Sequence, residues 1–223
     1  MQNNLMKKKI KKDESMGDLS YQVYEKVKQM IIEGELTPGE QVRQIQIANK
    51  LGVSRTPLIN ALNRLISENF VQYQPRRGYV IRKFGSEEMV QLHRVREACE
   101  GVAAFDACER ITDEQIEELK SLFEPFFNIT DWTSELIKRY LKADMKFHQS
   151  ILEISGNPFI IQTLNNLGIL YFTYQRGLLQ SPKITIKDHL AIISCFSARN
   201  PELARNEIEK HLLKGRENIP QYF

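Results

Sequence analysis

From Leu19 the chain reads LSYQVYEKVKQMIIEGELTPGEQV, in which Val23, Val27, Met30 and Ile31 recur at helical spacing. Ser20 offers an N-cap, and Gly34 followed by Thr37-Pro38-Gly39 stops the helix. RQIQIANKL predicts a short second helix with Ile45, Ala48 and Leu51 on its inner face, after which Gly52 supplies a turn. In VSRTPLINALNRLISENF, Ser54 stands at the cap, Pro57 fits the first turn, and Leu58, Ala61, Leu62, Leu65 and Ile66 form an apolar stripe. The period then changes. FVQYQ and YVIRKF are β-rich runs flanking Pro75-Arg76-Arg77-Gly78, the pattern of a hairpin with a basic tip. A leading helix, two helices joined by a glycine-containing turn and a hairpin together predict a winged helix-turn-helix over residues 19–83.

Beyond Phe84 only helical patterns follow. Ser86 with Glu87 and Glu88 opens a long helix in which Met89, Leu92, Val95, Cys99, Val102 and Ala103 are apolar at i+3/i+4 spacing. Thr112-Asp113-Glu114 starts another that runs through Leu122 toward Phe126, and a third spans Trp132 to Ser155, closed by Gly156-Asn157-Pro158. Further helices are expected over Pro158–Leu179, Ile186–Ala198 and Pro201–Asn218. Residues 84–223 are therefore expected to form an all-α antiparallel bundle of six or seven helices, and the whole chain to be mainly α.

Hydrophobic content of 42% and charged content of 26% are those of an ordinary globular chain. No apolar run reaches the ~18 residues that a membrane span needs. The start, MQNNLMKKKIKKDESMGD, has basic residues without an apolar stretch behind them, so residues 1–18 are expected to be a disordered basic tail rather than a secretory signal. Cys99, Cys108 and Cys195 form no C-x-x-C unit and are odd in number, which fits a reducing cytoplasm better than a disulfide framework. The net charge of +3 changes the picture only when divided by position. Residues 1–83 carry 15 Lys+Arg against 8 Asp+Glu, and residues 84–223 carry 16 against 20, so a module of +7 precedes a body of −4. That asymmetry suits a module that meets nucleic acid.

The third helix leaves Ser54, Arg55, Thr56, Ile59, Asn60 and Asn63 outside its apolar stripe, with Arg64 at the flank. A helix whose N-terminal end presents hydroxyls, an arginine and unpaired N–H groups suits phosphates and base edges in a major groove. In the body, DMKFH places Asp144 and His148 four residues apart on one helical face. His189 and His211 each lie about ten residues from the break at Arg199-Asn200-Pro201, roughly 15 Å from the turn, so an antiparallel pair would bring them level. The four residues are a candidate cluster inside a bundle; the same residues also read as ordinary polar groups on helices. Imidazoles with one carboxylate suit zinc, nickel, manganese or iron rather than calcium. His93 has no partner at ligand spacing and is expected to be a satisfied core or surface residue.

The stretch PGEQV…IANKLGVSRTPLINALNRLISENFVQYQPRRGYVI resembles the DNA-binding domain of the GntR family of bacterial transcriptional regulators. The resemblance implies that Ser54, Arg55 and Thr56 contact operator phosphates and bases, that Arg76, Arg77 and Gly78 form the wing tip with Arg77 and Gly78 in the minor groove, and that Arg64 contacts the backbone. This chain departs from the family at Ile59, where arginine is usual, at Asn60, where glutamate is frequent, and at Gln44-Ile45-Gln46, where an acidic-arginine pair is common. With Ile59 outside the packed stripe, contact with thymine methyls is expected in place of guanine readout.

YLKADMKFHQSILEISGNPFI and KDHLAIISCFSARNPELARNEIEKHLL resemble the FCD effector-binding domain of the FadR-type branch of that family. That resemblance implies a divalent metal on Asp144, His148, His189 and His211, a small carboxylate or sugar-acid effector on the metal, and Arg96 as an effector-holding residue. Arg96 equally reads as an ion-pair partner of Glu97 or Glu100. The expected protein is a dimeric, ligand-responsive repressor in which each winged helix reads one operator half-site, because helix-turn-helix proteins commonly pair two-fold symmetry with palindromic DNA. A purely structural metal is the alternative. A metalloenzyme is disfavoured, because Gln149, Leu190 and Leu212 follow the three histidines and no H-E-x-x-H motif occurs.

Overall fold

Among the described residues, three helices and a hairpin build the first unit: α1 (Met16–Ile32), α2 (Gln44–Leu51), α3 (Arg55–Ser67), β1 (Val71–Gln74) and β2 (Gly78–Ile81). The computed structural model describes residues 16–168 and 179–220, and the chain divides into two units, Met1–Lys83 and Phe84–Phe223. The tail expected over residues 1–18 lies outside the described residues as far as residue 15; from Met16 the chain is helical, so Ser20 sits within α1 rather than capping it.

Val23, Val27 and Ile31 of α1 are fully buried with Leu58, Leu62 and Leu65 of α3, the stripe that the 3.6-residue period predicts. α2 departs from expectation. Its buried residues are Ile47 and Ala48, whereas Ile45 is 64% exposed. Eight residues make barely two turns, too few for periodicity to separate the 45/48 stripe from the 47/48/51 stripe. Gly52, at φ +70, ends the helix in the left-handed region that glycine adopts without strain. β1 and β2 pair antiparallel with Val71 opposite Ile81 and Gln74 opposite Gly78. Gly39–Val42 adds a third, unforeseen edge: Gly39 N donates to Ile81 O at 2.8 Å, Ile81 N to Glu40 O at 2.9 Å and Val42 N to Tyr79 O at 2.8 Å.

Glu68, just past α3, ties this unit together. It accepts from Tyr24 Oη at 2.8 Å and from Lys28 Nζ at 2.6 Å, while the Arg64 guanidinium lies 4.2 Å over the Tyr24 ring. Burial, followed by the Glu68 carboxylate, pushes the Tyr24 phenol well above its ordinary value.

The second unit comprises α4 (Ser86–Arg110), α5 (Asp113–Ser121), a 3₁₀ turn (Glu124–Phe126), α6 (Ser134–Ser155), α7 (Pro158–Asn166), α8 (Pro182–Ser197) and α9 (Pro201–Glu217). Local chemistry sets most of the boundaries. Thr112 and Gln115 form a capping box on α5, and Thr133 accepts from Leu136 N to start α6 two residues later than expected. Gly156 closes α6 at φ +65, and Asn157 accepts from Phe159 N and Ile160 N to open α7. α7 ends at Asn166; residues 169–178 of the helix expected to reach Leu179 lie outside the described residues. α8 begins four residues before expectation because Pro182 occupies its first turn behind Ser181.

α4 packs against α6 and α9, and α8 against α9 and α5. At Gly101 of α4 a Cβ would stand 2.9 Å from Glu209 Cγ, so the Glu209 side chain of α9 lies over the space this glycine leaves. The inner face of α4 corrects the hydrophobic pattern. Val95 and Val102 are exposed, while His93, Arg96 and Glu100 are buried.

Phe123 fills the space between helices. Its ring is fully buried, stacked 4.5 Å from His189 and set edge-on 5.4 Å from Phe147. Phe123→Ala is expected to cost about 3–5 kcal/mol through lost burial and the cavity left behind. Urea unfolding followed in the near ultraviolet checks this, and a loss under about 1 kcal/mol would show that the surrounding side chains close the gap.

Candidate metal centre and nucleic-acid surface

The outer side of α3 carries exposed Arg55, Thr56, Asn60 and Asn63, with half-buried Ile59 at the centre of the same face. Ser54 holds the N-cap position at φ −75, ψ 170, yet its side chain makes no capping bond. Arg55 donates from Nη2 to Gln44 Oε1 at 3.2 Å, which ties the first turn of α3 to α2. Tyr79 of β2 donates to Asn63 Oδ1 at 2.9 Å, tying the wing to the same helix. Asn60 Nδ2 reaches Ser20 Oγ only at 3.5 Å.

Arg64 is engaged from two sides, 5.1 Å from the Tyr21 ring centroid and 3.5 Å from Glu68 Oε1, so part of its function is structural. At the wing tip Arg76 is exposed at φ +66 and Gly78 follows at φ +72. Arg77 donates to Gln74 Oε1 at 3.0 Å and to Gly39 O at 3.1 Å, and its carbonyl accepts from Gln41 Nε2 at 2.5 Å. These bonds give the tip a defined shape.

In the body, α6 contributes Asp144 and His148, α8 contributes His189, and α9 contributes His211. One ligand atom from each lies within 4.8 Å of all the others, and all four residues are buried. The hairpin arithmetic accounts for the last pair. α8 ends at Ser197 and α9 starts at Pro201, with Asn200 capping through Leu203 N, so His189 and His211 come level with their Nε2 atoms 3.3 Å apart. His189 Nε2 is also 3.2 Å from Asp144 Oδ1. Tyr140 Oη bridges Asp144 Oδ1 at 3.4 Å and Thr185 Oγ1 at 2.5 Å.

The surrounding shell orients the rings. Glu100 Oε2 lies 2.5 Å from His148 Nδ1, and Asp188 Oδ2 lies 3.5 Å from His211 Nδ1. A carboxylate at Nδ1 holds the proton there and turns the Nε2 lone pair inward. His148 Nε2 is buried without a hydrogen-bond partner among the described residues. A buried acceptor with nothing to accept is costly unless a cation takes its lone pair. Three imidazole nitrogens and one carboxylate oxygen fit a divalent transition ion with bond lengths of about 2.0–2.2 Å, given a small contraction of the cluster. His189 Nδ1 is the exception to this shell, being buried without a described partner.

Charges balance around the centre. Burial pushes the Glu100 carboxyl up, but Arg96 and His148 beside it outweigh burial and hold it at about 2. Burial lowers His148 and takes His189 well below its ordinary value, in the latter case aided by His211 and His148. Asp188 is lowered: burial opposes this, but bonds to His211 and Lys214 prevail. His93, expected to be a bystander, is buried beside this shell and lowered to about 3, first by burial and then by Arg96. Arg96 is buried and ion-paired with Glu100, whereas Glu97 pairs instead with Arg216 at 2.6 Å. Glu100 and Asp188 are the site residues that sequence reasoning missed. Asp188 adjoins a ligand histidine, and Glu100 stands one turn after Arg96, but neither spacing signals which helix the carboxylate will face.

A winged helix joined to an all-α body with a buried histidine–aspartate cluster defines a DNA-binding transcriptional regulator. The chain belongs to the GntR family: the model described as bacterial regulatory proteins, gntR family, matches residues 19–81, and that of the FCD domain matches residues 91–214. Among curated relatives, the Nta operon transcriptional regulator of Aminobacter aminovorans is 28% identical over 85% of this chain and 89% of its own. A probable D-xylose utilization operon transcriptional repressor of Paenarthrobacter nicotinovorans is 26% identical over 82% and 80% respectively. Among solved structures, Escherichia coli McbR has the same fold with a TM-score of 0.71 at 21% identity, covering 87% of this chain and 93% of its own. Among the described residues no helix is long and apolar enough to cross a membrane.

The buried histidines make stability depend on pH. His93, His148 and His189 have folded values below 6.5, so the unfolded chain binds more protons once the pH drops below about that value. Their contribution is fully present above about pH 6.5 and is lost as pH falls from there toward the lowered folded values. Glu100 adds a loss of the same sign below its ordinary 4.5. Urea midpoints of the chelator-treated protein at about pH 7.5 and 5.5 are expected to fall on acidification; equal midpoints would mean that the folded protein protonates these rings.

Proposed function

We propose that this regulator is a dimeric, ligand-responsive repressor that holds a divalent transition metal, zinc, nickel, manganese or iron, on Asp144, His148, His189 and His211. The observation that carries this reading is the convergence of four donor atoms within 4.8 Å, with His148 Nε2 buried and unpartnered among the described residues. When bound, the ion supplies a Lewis-acidic positive centre for the carboxylate of a small organic or sugar acid. The protein's own part is to orient the donors, through Glu100 on His148 and Asp188 on His211. Arg96, held by Glu100, is the cation that would face the effector carboxylate beside the metal.

In the DNA-reading module, Ser54, Arg55 and Thr56 would meet phosphates and bases at the start of α3, with Ile59 and Asn60 one turn on. Arg64 would meet the backbone, and Arg76, Arg77 and Gly78 would present the wing to the minor groove. Two copies reading a pseudo-palindromic operator need a two-fold dimer. The effector acts through different affinities for the DNA-competent and DNA-incompetent states. A structural ion without an effector is the second reading, favoured by the burial of all four ligands.

Native mass spectrometry of the full chain is expected to show a dimer with one metal per subunit. Asp144→Ala should weaken metal binding by removing the one carboxylate ligand, and Glu100→Gln should weaken it about 10–100-fold because a neutral amide no longer fixes the His148 proton. Thermal shifts by small acids, lost in His189→Ala, would support the effector reading; metal-loaded protein insensitive to every acid would leave the structural one. On operator DNA, Arg55→Ala should weaken binding and reduce the salt dependence by about one phosphate contact. An unchanged slope would remove Arg55 from the phosphate surface.

A further inference from the structure

The outer face of α3 has an unusual chemistry for a surface meant to meet DNA. Arg55, Thr56, Ile59, Asn60 and Asn63 occupy positions i, i+1, i+4, i+5 and i+8, one face of a helix, opposite buried Leu58, Ala61, Leu62 and Leu65. Guanine is read chiefly by bidentate arginine or lysine, thymine by apolar contact with its C5 methyl, and adenine by asparagine or glutamine. On this face the cation is at the edge and is partly engaged by Gln44 at 3.2 Å. The centre is Ile59, half-buried, one turn after Arg55 and one turn before Asn63. Thr56, three residues before Ile59, adds a second methyl-bearing side chain and is exposed.

The polar groups beside Ile59 are also constrained. Asn63 accepts from Tyr79 at Oδ1, which turns its amide N–H groups outward as donors to base or phosphate acceptors. Asn60 is held only by the 3.5 Å contact to Ser20, at the limit of a hydrogen bond, and so gives up little to turn toward an adenine edge. The side chain at the centre of this face is a branched alkyl group with no donor of its own, and the amides and hydroxyl beside it do not supply the bidentate cationic fork by which guanine is chiefly read.

Resting on the DNA-reading assignment of α3 made above, we propose that Ile59 is the specificity-determining residue of each half-site and that it reads a thymine through its C5 methyl group, in an A·T pair that Asn60 contacts on the adenine side. The central pairs of the operator half-site are therefore A·T, with guanine readout confined to the Arg55 end of the helix.

The test uses the full chain and chemically altered DNA. Wild-type protein is first used to select duplexes from a random library. Each thymine of the selected half-site is then replaced by deoxyuridine, which removes only the methyl group. One position per half-site is expected to lose about 3–5-fold in affinity, the scale of one buried methyl group. Ile59→Ala should bind the thymine and uracil duplexes equally, while Ile59→Val, which keeps a branched methyl surface, should retain the penalty. Ile59→Arg should shift the selected centre toward G·C. A penalty that persists undiminished in Ile59→Ala, or a wild-type protein indifferent to uracil at every position, would overturn the inference. Failure of the wild-type protein to enrich any sequence would overturn the DNA-reading assignment itself, a separate and distinguishable result.

Discussion

Glu100 is a carboxylate with no access to water, and the second unit is organised around keeping it ionised. Taking a charge out of water costs several kcal/mol, so a buried carboxylate needs both a cation and hydrogen-bond donors. Arg96, one turn earlier on α4, supplies the charge, and His148 from α6 supplies the second donor. The same bond fixes the proton of His148 on Nδ1 and aims its Nε2 at Asp144, His189 and His211. α4 therefore carries a polar inner face, and the helices packed on it must bring partners to that face. Removing Glu100 would take the partner from His148 Nδ1, and removing Arg96 would take from the buried carboxylate the charge that offsets its own.

That arrangement also explains what could and could not be seen in the sequence. α6 was legible because its buried residues, Tyr140, Asp144, Phe147, His148, Ile151 and Leu152, follow the helical period and its caps are ordinary turn chemistry. α4 was misread because periodicity assumes that apolar residues point inward. Here Val95 and Val102 point out, while His93, Arg96 and Glu100 point in to serve the site. The level of His189 and His211 followed from counting residues on either side of a turn, since rise per residue is a fixed property of the helix. Glu100 and Asp188 had no such handle, because which carboxylate meets which ring depends on side-chain directions between helices. In the first unit, Ile45 was placed inside for want of helix length, and the edge formed by Gly39–Val42 was missed because its pairing with Tyr79 and Ile81 is made by backbone groups.

The DNA-reading unit rests on a different device. Arg64, Tyr24, Lys28 and Glu68 lock α1 onto the end of α3 by stacking and by charge-assisted bonds. Tyr79 and Gln41 hold the wing from the other side. Several basic and amide groups of this surface thus spend part of their bonding capacity within the fold. The groups so bonded are already restricted before DNA arrives, which lowers the ordering cost of binding.

The turn at Arg199 gives the α8–α9 hairpin a further property. Arg199 adopts φ +53, unfavourable for a side chain with a Cβ, and is held by Asp113 at 2.6 Å and by the Ile111 carbonyl. With the corner pinned to another helix, the 22-residue interval from His189 to His211 works as a ruler. A single residue gained or lost within either helix, between the turn and its histidine, would slide that histidine by about 1.5 Å and swing it by about 100°. Length variation in this unit therefore has to accumulate elsewhere, and descendants of this protein can change the chemistry of the interval far more freely than its count.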